Sequence, residues 1–219
     1  MRPHTPGTLA RQLAARGFRV YVGARNREAG EKAVEALGGN VQLLHLDVAS
    51  EESIQNAVHE LNSQTDKLDV LVNNAGIVLD YDKSLFDLTA DTLRKTLETN
   101  LFGALLVSQA VMPLMRKSAT PRIVNVSSGA GQLSGELQSW APGYSISKTA
   151  LNALTEQLAA ALPKFAVNSV CPGWVRTDMG GPNATRSVEE GADTIVWLAA
   201  DASQELTGKN IRDRQVIEW

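Results

Sequence analysis

The sequence predicts an α/β fold built on a doubly wound, parallel sheet. Three observations predict it. Short runs rich in Val, Leu and Ile recur along the chain, longer segments with apolar residues at helical spacing lie between them, and polar residues gather where the short runs end. The runs are residues 18–22, 41–46, 68–72, 122–126 and 166–170. Each is almost continuously apolar, as a strand covered on both faces should be. Helices are expected over 26–37, 50–65, 91–117, 144–162 and 187–200, with a last strand near 210–212. Ser50, followed by Glu51, Glu52 and Ser53, marks a helix start ahead of Ile54, Ala57 and Leu61. A first helix is expected over 8–17, with Thr5 as its N-cap and Pro6 as its first helical residue.

The 219 residues suit one domain spanning 1–219, and no linker or repeat divides them. With 43% hydrophobic and 21% charged residues, the chain has enough apolar material for a core. A formal charge of -3 gives no basic excess for nucleic acid or an anionic membrane. No apolar run is expected to reach the length of a membrane span, and the first residues carry no signal core. A single cysteine, Cys171, permits no internal disulfide and no cysteine metal cluster. With no partner base apparent in the sequence, it reads as a small core residue rather than a nucleophile. Three scattered histidines offer no metal-ligand spacing, so no metal is expected and a reducing cytoplasmic location fits.

Five segments carry chemistry. In Asp69-Val-Leu-Val-Asn-Asn-Ala-Gly76 a buried strand ends in two amides, Asn73 and Asn74, then Ala75 and Gly76. Ligands of open α/β sheets bind at the carboxyl ends of strands, and Gly76 permits close approach there. In Tyr144-Ser-Ile-Ser-Lys148 the phenol and the ammonium are i and i+4 on one helical face. A nearby positive charge is expected to lower the tyrosine pKa. Such a phenol can pass a proton to a carbonyl oxygen. Ser127 and Ser128 end the strand before it, and one of their hydroxyls can hold a substrate oxygen. Asn100 is a polar break in an apolar helix, placed to kink it and hold a water near Lys148. Cys171-Pro-Gly turns the chain so that Val175 and Thr177 return over the same edge.

Together, and in their order along the chain, the segments resemble the short-chain dehydrogenase/reductase family, carbonyl-reductase-like members in particular. The resemblance implies a Rossmann-like fold and hydride transfer between a nicotinamide and a ketone or aldehyde. It implies roles for Ser128 in orienting the carbonyl, Tyr144 as general acid, Lys148 as pKa modulator and ribose ligand, and Asn100 in a proton relay. Asp47 and Val48 would lie by the adenine, Asn74, Ala75 and Gly76 along the cofactor, and Val175 and Thr177 by the carboxamide. The strand before Arg25 ends without a carboxylate to take ribose hydroxyls, and Arg25 can pair with a 2′-phosphate, so NADP(H) is the expected cofactor. Leu133 and Trp140, in the loop 129–143, and Trp174 are candidate walls of an apolar pocket. The partners expected are a small carbonyl substrate and, at most, further copies of the chain. A secondary-alcohol dehydrogenase using the same residues in reverse is an alternative, as is a truncated, non-catalytic binding homologue.

One departure from the family stands out. Its first strand and Gly-rich phosphate turn have no counterpart, because only Met-Arg-Pro-His-Thr-Pro-Gly7 precedes the first helix. Four residues before Thr5 are too few for a strand of about five or six residues plus a loop. The expectations are a truncated or misassigned start, weak NADPH binding, and a sheet with two unpaired inner edges or a repacked core.

Overall fold

The computed structural model describes residues 5–135 and 138–219. The short stretch before Thr5 that sequence reasoning found too small for a strand lies outside them. The first described element is helix α1 (Thr5–Ala14), which takes in Gly7 in its first turn. Strand β1 (Val20–Ala24), helix α2 (Arg27–Leu37) and strand β2 (Val41–His45) follow. Next come α3 (Glu51–Gln64), β3 (Val70–Asn73), α4 (Ala90–Leu97) and α5 (Gly103–Met115). The chain ends with β4 (Arg122–Val126), α6 (Pro142–Ala161), β5 (Ala166–Val170), α7 (Val188–Ala200), β6 (Lys209–Arg212) and β7 (Gln215–Ile217).

Local chemistry sets the helix ends. Asn26, Ser50 and Ser187 stand one residue ahead of α2, α3 and α7, and each side chain accepts a backbone N–H of the first turn. Ser187 and Glu190 close a reciprocal capping box. The expected helix over 91–117 is two α-helices joined by a π-helical turn, Glu98–Phe102, centred on Asn100. By length and composition the continuous helical stretch Ala90–Met115 does pass for a membrane span, with mean hydropathy 1.2. That corrects the sequence expectation. Here Val107, Val111, Leu114 and Met115 of this stretch are buried in the core.

The strands form two parallel arrays rather than one. β1 pairs with β2, and β3–β4–β5–β6 form a second parallel sheet that β7 closes antiparallel. β1 and β3 are not hydrogen-bonded to each other. They nevertheless share cores on both faces. Val20, Val70 and Val72 pack with Leu9 and Leu13 of α1 and Ile195 and Leu198 of α7. Tyr21 and Leu71 pack with Ile54 and Leu61 of α3 and Val107 and Leu114 of α5. The strand order reverses between β1 and β3, and the carboxyl ends of the strands there define the crevice where ligands of such sheets bind.

The hairpin β6–β7 was not predicted beyond its first strand. Its two-residue turn uses Asp213 and Arg214 at φ 52° and 60°, where Gly or Asn is usual. Both turn side chains are anchored, Asp213 to Arg186 and Arg214 to Asp193.

Candidate active site

The site lies at the carboxyl ends of β2 through β5, beneath the first turn of α6. Tyr144 stands in that turn, only 7% exposed, and its hydroxyl is hydrogen-bonded to the Ser128 side chain. Ser128 also accepts from the Ala130 N–H at 3.2 Å, which fixes its rotamer. Ser127 turns the other way and donates to the Lys148 carbonyl at 3.4 Å. The geometry therefore brings Ser128, not Ser127, to the phenol. Gly131 lets the serine turn sit on α6, because a Cβ there would lie 2.7 Å from the Lys148 carbonyl carbon. Asn152 and Thr149 then bond the Gly131 carbonyl and lock the approach.

Lys148 is buried, and its Nζ donates to the Val126 carbonyl at 2.8 Å. An ammonium has three donors, so this single partner leaves donors for a ligand. Burial lowers its pKa to about 8. Tyr144 departs from expectation. Its pKa is raised to about 12, chiefly by burial, with the Ser128 hydrogen bond opposing and the neighbouring Cys171 adding to the rise. The ammonium sits 5.7 Å from the centre of the tyrosine ring and points at a carbonyl. Desolvation of the phenolate is the stronger effect, and the phenol stays protonated at neutral pH.

Asn100 is 1% exposed and its amide is largely committed. Oδ1 accepts from the Ile77 N–H at 2.8 Å, and Nδ2 reaches the Ile77 carbonyl and Ser147 Oγ at 2.9 Å each. It pins the exit of β3 to α6. A Cβ on Gly76 would lie 3.4 Å from Lys148 Nζ and 3.6 Å from Asn100 Oδ1, so both polar groups face the space that glycine leaves. Asn73 works within the sheet. Its Nδ2 reaches Asn125 Oδ1 at 2.8 Å, and Asn125 in turn reaches Thr155 Oγ1 at 2.9 Å, tying β3, β4 and α6 together. Asn74, Ala75 and Gly76 follow on the half-open edge.

The other predicted residues follow the carboxyl ends of β1, β2 and β5. Arg25 is exposed at the end of β1, and no described side chain or carbonyl partners its guanidinium. Asp47 follows β2 and accepts the Ala49 N–H at 3.0 Å. Val48 packs on Gly103, whose absent Cβ would meet it at 2.9 Å. The Val175 side chain is buried and packs on Gly191 of α7. Thr177 donates its N–H to the Val175 carbonyl at 2.8 Å. Cys171 is buried, and its sulfur meets the Arg212 guanidinium at 2.9 Å.

Trp140 packs at a tilt against Tyr144 with ring centres 5.7 Å apart, and Tyr81 packs at a tilt against Trp140 at 5.1 Å. Tyr81 carried no signal in the sequence, since it follows the glycine turn at no recognisable spacing. Leu133 is 70% exposed and Trp174 49%, so neither wall is closed. Asp80 was also missed. It is fully buried, and one oxygen accepts the Gly143 N–H at 2.5 Å, which holds the start of α6 one residue before Tyr144.

The serine–tyrosine pair and the buried lysine lie at the switch point of a doubly wound sheet, where ligands of such sheets bind. The sequence model of the short chain dehydrogenase family matches residues 7–188, and the chain belongs to that family. It is similar to (+)-neomenthol dehydrogenase of Arabidopsis thaliana, 33% identical over 276 aligned positions covering 96% of this chain and 93% of the relative. It is 31% identical to NADPH carbonyl reductase 1 of Mus musculus, covering 91% of this chain and 88% of that one. Among solved structures, an NADPH-bound carbonyl reductase from chicken fatty liver superposes with a TM-score of 0.81. The match is at 26% identity over 91% of this chain and 86% of that one. The chain is thus an oxidoreductase of carbonyl-reductase type.

Proposed function

We propose that the chain reduces ketone or aldehyde carbonyls with NADPH, and that Ser128, Tyr144 and Lys148 carry the reaction. The observation behind this reading is the Ser128–Tyr144 hydrogen bond, with a phenol that burial keeps protonated. Two O–H groups then converge on one point where a carbonyl oxygen can sit. Ser128 polarises that oxygen and fixes its position. Tyr144 hands over its proton as negative charge builds on the oxygen. Lys148, cationic below about pH 8, stabilises the phenolate left behind and restores its proton. Asn100 and Lys148 face one space above Gly76, where a water would link the lysine to bulk solvent.

The residues present fit a nicotinamide dinucleotide. Lys148 retains free donors for ribose hydroxyls, Gly76 leaves room where a Cβ would intrude, and Arg25 offers an unpartnered guanidinium to a 2′-phosphate. Asp47 and Val48 would flank the adenine. Asn74 and Ala75 would lie along the dinucleotide, and the backbone at Val175 with Thr177 would meet the carboxamide. When bound, the reduced nicotinamide supplies the hydride.

A protonated tyrosine favours reduction over alcohol oxidation at neutral pH, because oxidation needs phenolate as base. Consumption of NADPH at 340 nm with a panel of aryl ketones and aldehydes tests the proposal. The expected result is carbonyl-dependent oxidation with NADPH preferred to NADH. Equal or greater efficiency with NADH, or no carbonyl-dependent turnover at saturating NADPH, would overturn it.

A further inference from the structure

Helix α6 carries Tyr144 in its first turn but does not cap itself. Helices α2, α3, α4 and α7 each begin behind an Asn, Ser or Thr whose side chain accepts a first-turn N–H. α6 begins behind Ala141, whose methyl group cannot accept, and its first turn holds no acidic residue. Pro142 fills the first helical position and has no N–H to offer. The first orphan donor of the helix is therefore the Gly143 N–H, one residue before Tyr144.

Asp80 takes that donor from 63 positions away in the sequence. Its Oδ2 accepts the Gly143 N–H at 2.5 Å, the bond a capping side chain ordinarily makes to the second or third helical residue. The α6 dipole favours a carboxylate at this end. Gly143 admits the contact by being small, because a Cβ there would lie 3.0 Å from Asp80 Oδ2 and 3.1 Å from Leu88 Cδ1. The loop that bears Asp80 is itself anchored. Asn100 bonds both the N–H and the carbonyl of Ile77, and the Asp80 carbonyl accepts from the Lys83 N–H at 3.2 Å. Tyr81, next in the chain, packs on Trp140, which packs on the Tyr144 ring. The other carboxylate oxygen, Oδ1, is buried with no hydrogen-bond partner among the described residues. An unpaired buried oxygen is costly, and a Ser or Asn in place of Ala141 would cap the helix without it. Stability alone therefore does not account for Asp80.

We propose that Asp80 is a positioning residue of carbonyl reduction: by capping α6 from the loop after β3, it fixes where the Tyr144 phenol stands relative to Ser128. The inference rests on the reading of Tyr144 as proton donor. Asp80 acts through the Gly143 amide and not by touching the reacting atoms. The phenol hydroxyl lies at the far end of a rigid ring, so a small tilt of the helix start carries it off Ser128. A misplacement of about 1 Å at a reacting group costs on the order of 10²-fold in rate.

The test compares Asp80→Ala and Asp80→Asn in the full chain, each alone and combined with Tyr144→Phe. An Asn side chain keeps an oxygen acceptor for Gly143, and Ala keeps none. Asp80→Ala should lower kcat by about tenfold to 10²-fold and change the KM for NADPH by less than about twofold. Asp80→Asn should recover kcat to within about threefold of wild type. In the Tyr144→Phe background Asp80→Ala should change the residual rate by less than about twofold, because no phenol is left to place. Amide exchange at Gly143 should be at least about tenfold faster in Asp80→Ala than in wild type. If Asp80→Ala does not fold, Gly143→Ala decides: alanine favours the helix while its Cβ crowds the carboxylate, and kcat should fall by about fivefold or more. Unchanged kcat in that variant overturns the proposal. So does an Asp80→Ala protein that keeps more than about a third of wild-type kcat, or a loss that Tyr144→Phe does not abolish. An Asp80→Asn protein as slow as Asp80→Ala, or Gly143 exchange that neither substitution alters, overturns it as well. A wild type without carbonyl-dependent turnover refutes the proposed function itself, and the proposal with it.

Discussion

Replacing Lys148 by Met should make the protein more stable at pH 7 while destroying its activity. The lysine is buried with one carbonyl partner, and its pKa falls from 10.5 to about 8. That difference is worth about 3 kcal/mol against the charged form at neutral pH. Removing the ammonium also strips the Val126 carbonyl of a donor, at about 1 kcal/mol. A net gain of about 2 kcal/mol remains, or about 4–8 °C in Tm for a chain of this size. The pH dependence follows from the depressed pKa. Between about pH 8 and 10.5 the unfolded chain binds more protons at this site than the folded one, so wild-type stability rises with pH there. The advantage of the Lys148→Met variant should be full below pH 8 and shrink toward pH 10. Tyr144 acts oppositely, its stabilising contribution being complete below pH 10 and lost toward pH 12, so measurements stop at pH 10. Urea unfolding of both proteins at pH 7, 8.5 and 10 decides the matter. A variant less stable than wild type at pH 7, or a gap that does not change with pH, would refute the reasoning.

Further outcomes follow from the same contacts. Ser128→Ala should lower kcat by about 10²-fold or more, and Ser127→Ala by little, because only Ser128 meets the phenol. Arg25→Ala should raise the KM for NADPH by about tenfold or more and leave that for NADH nearly unchanged, as loss of one charge-assisted phosphate contact requires. Gly131→Ala should cost about 1–3 kcal/mol in urea unfolding and reduce kcat, since its Cβ would press on α6 backbone rather than on a movable side chain. Alcohol oxidation, if assayed, should rise with pH well beyond the optimum for reduction, because it needs the phenolate.

Much of this site was legible because strand ends and helix starts have residue signatures. The segments ending at Gly76, Ser128 and Cys171 each marked a strand exit, and all three follow adjacent parallel strands of one sheet. Asn100 was readable as a helix break, although its π-helical turn and its grip on Ile77 were not. The tyrosine pKa was misjudged because spacing reveals the neighbouring charge but not the burial that outweighs it. The packing of the Val175 side chain on Gly191 was not readable, since nothing in its own segment announces a glycine on a helix. Tyr81 and Asp80 escaped notice because their partners, Trp140 and Gly143, are distant in sequence. Strand β7 was missed because Asp213 and Arg214 are not the residues such a turn usually takes. Sequence reasoning left unpaired inner edges and a repacked sheet both open, and only the strand pairing shows β1 and β3 without hydrogen bonds to each other. The consequence, a half-exposed β3, needed coordinates.

The account rests most heavily on the phenol of Tyr144 as proton donor. Its sharpest test is single-turnover NADPH oxidation by wild type and Tyr144→Phe at pH 7, with saturating cofactor and carbonyl, alongside NADPH affinity by fluorescence. A fall of about 10²–10⁴-fold in rate with affinity held within about twofold is predicted. A phenylalanine variant that keeps more than about a tenth of the rate would contradict it.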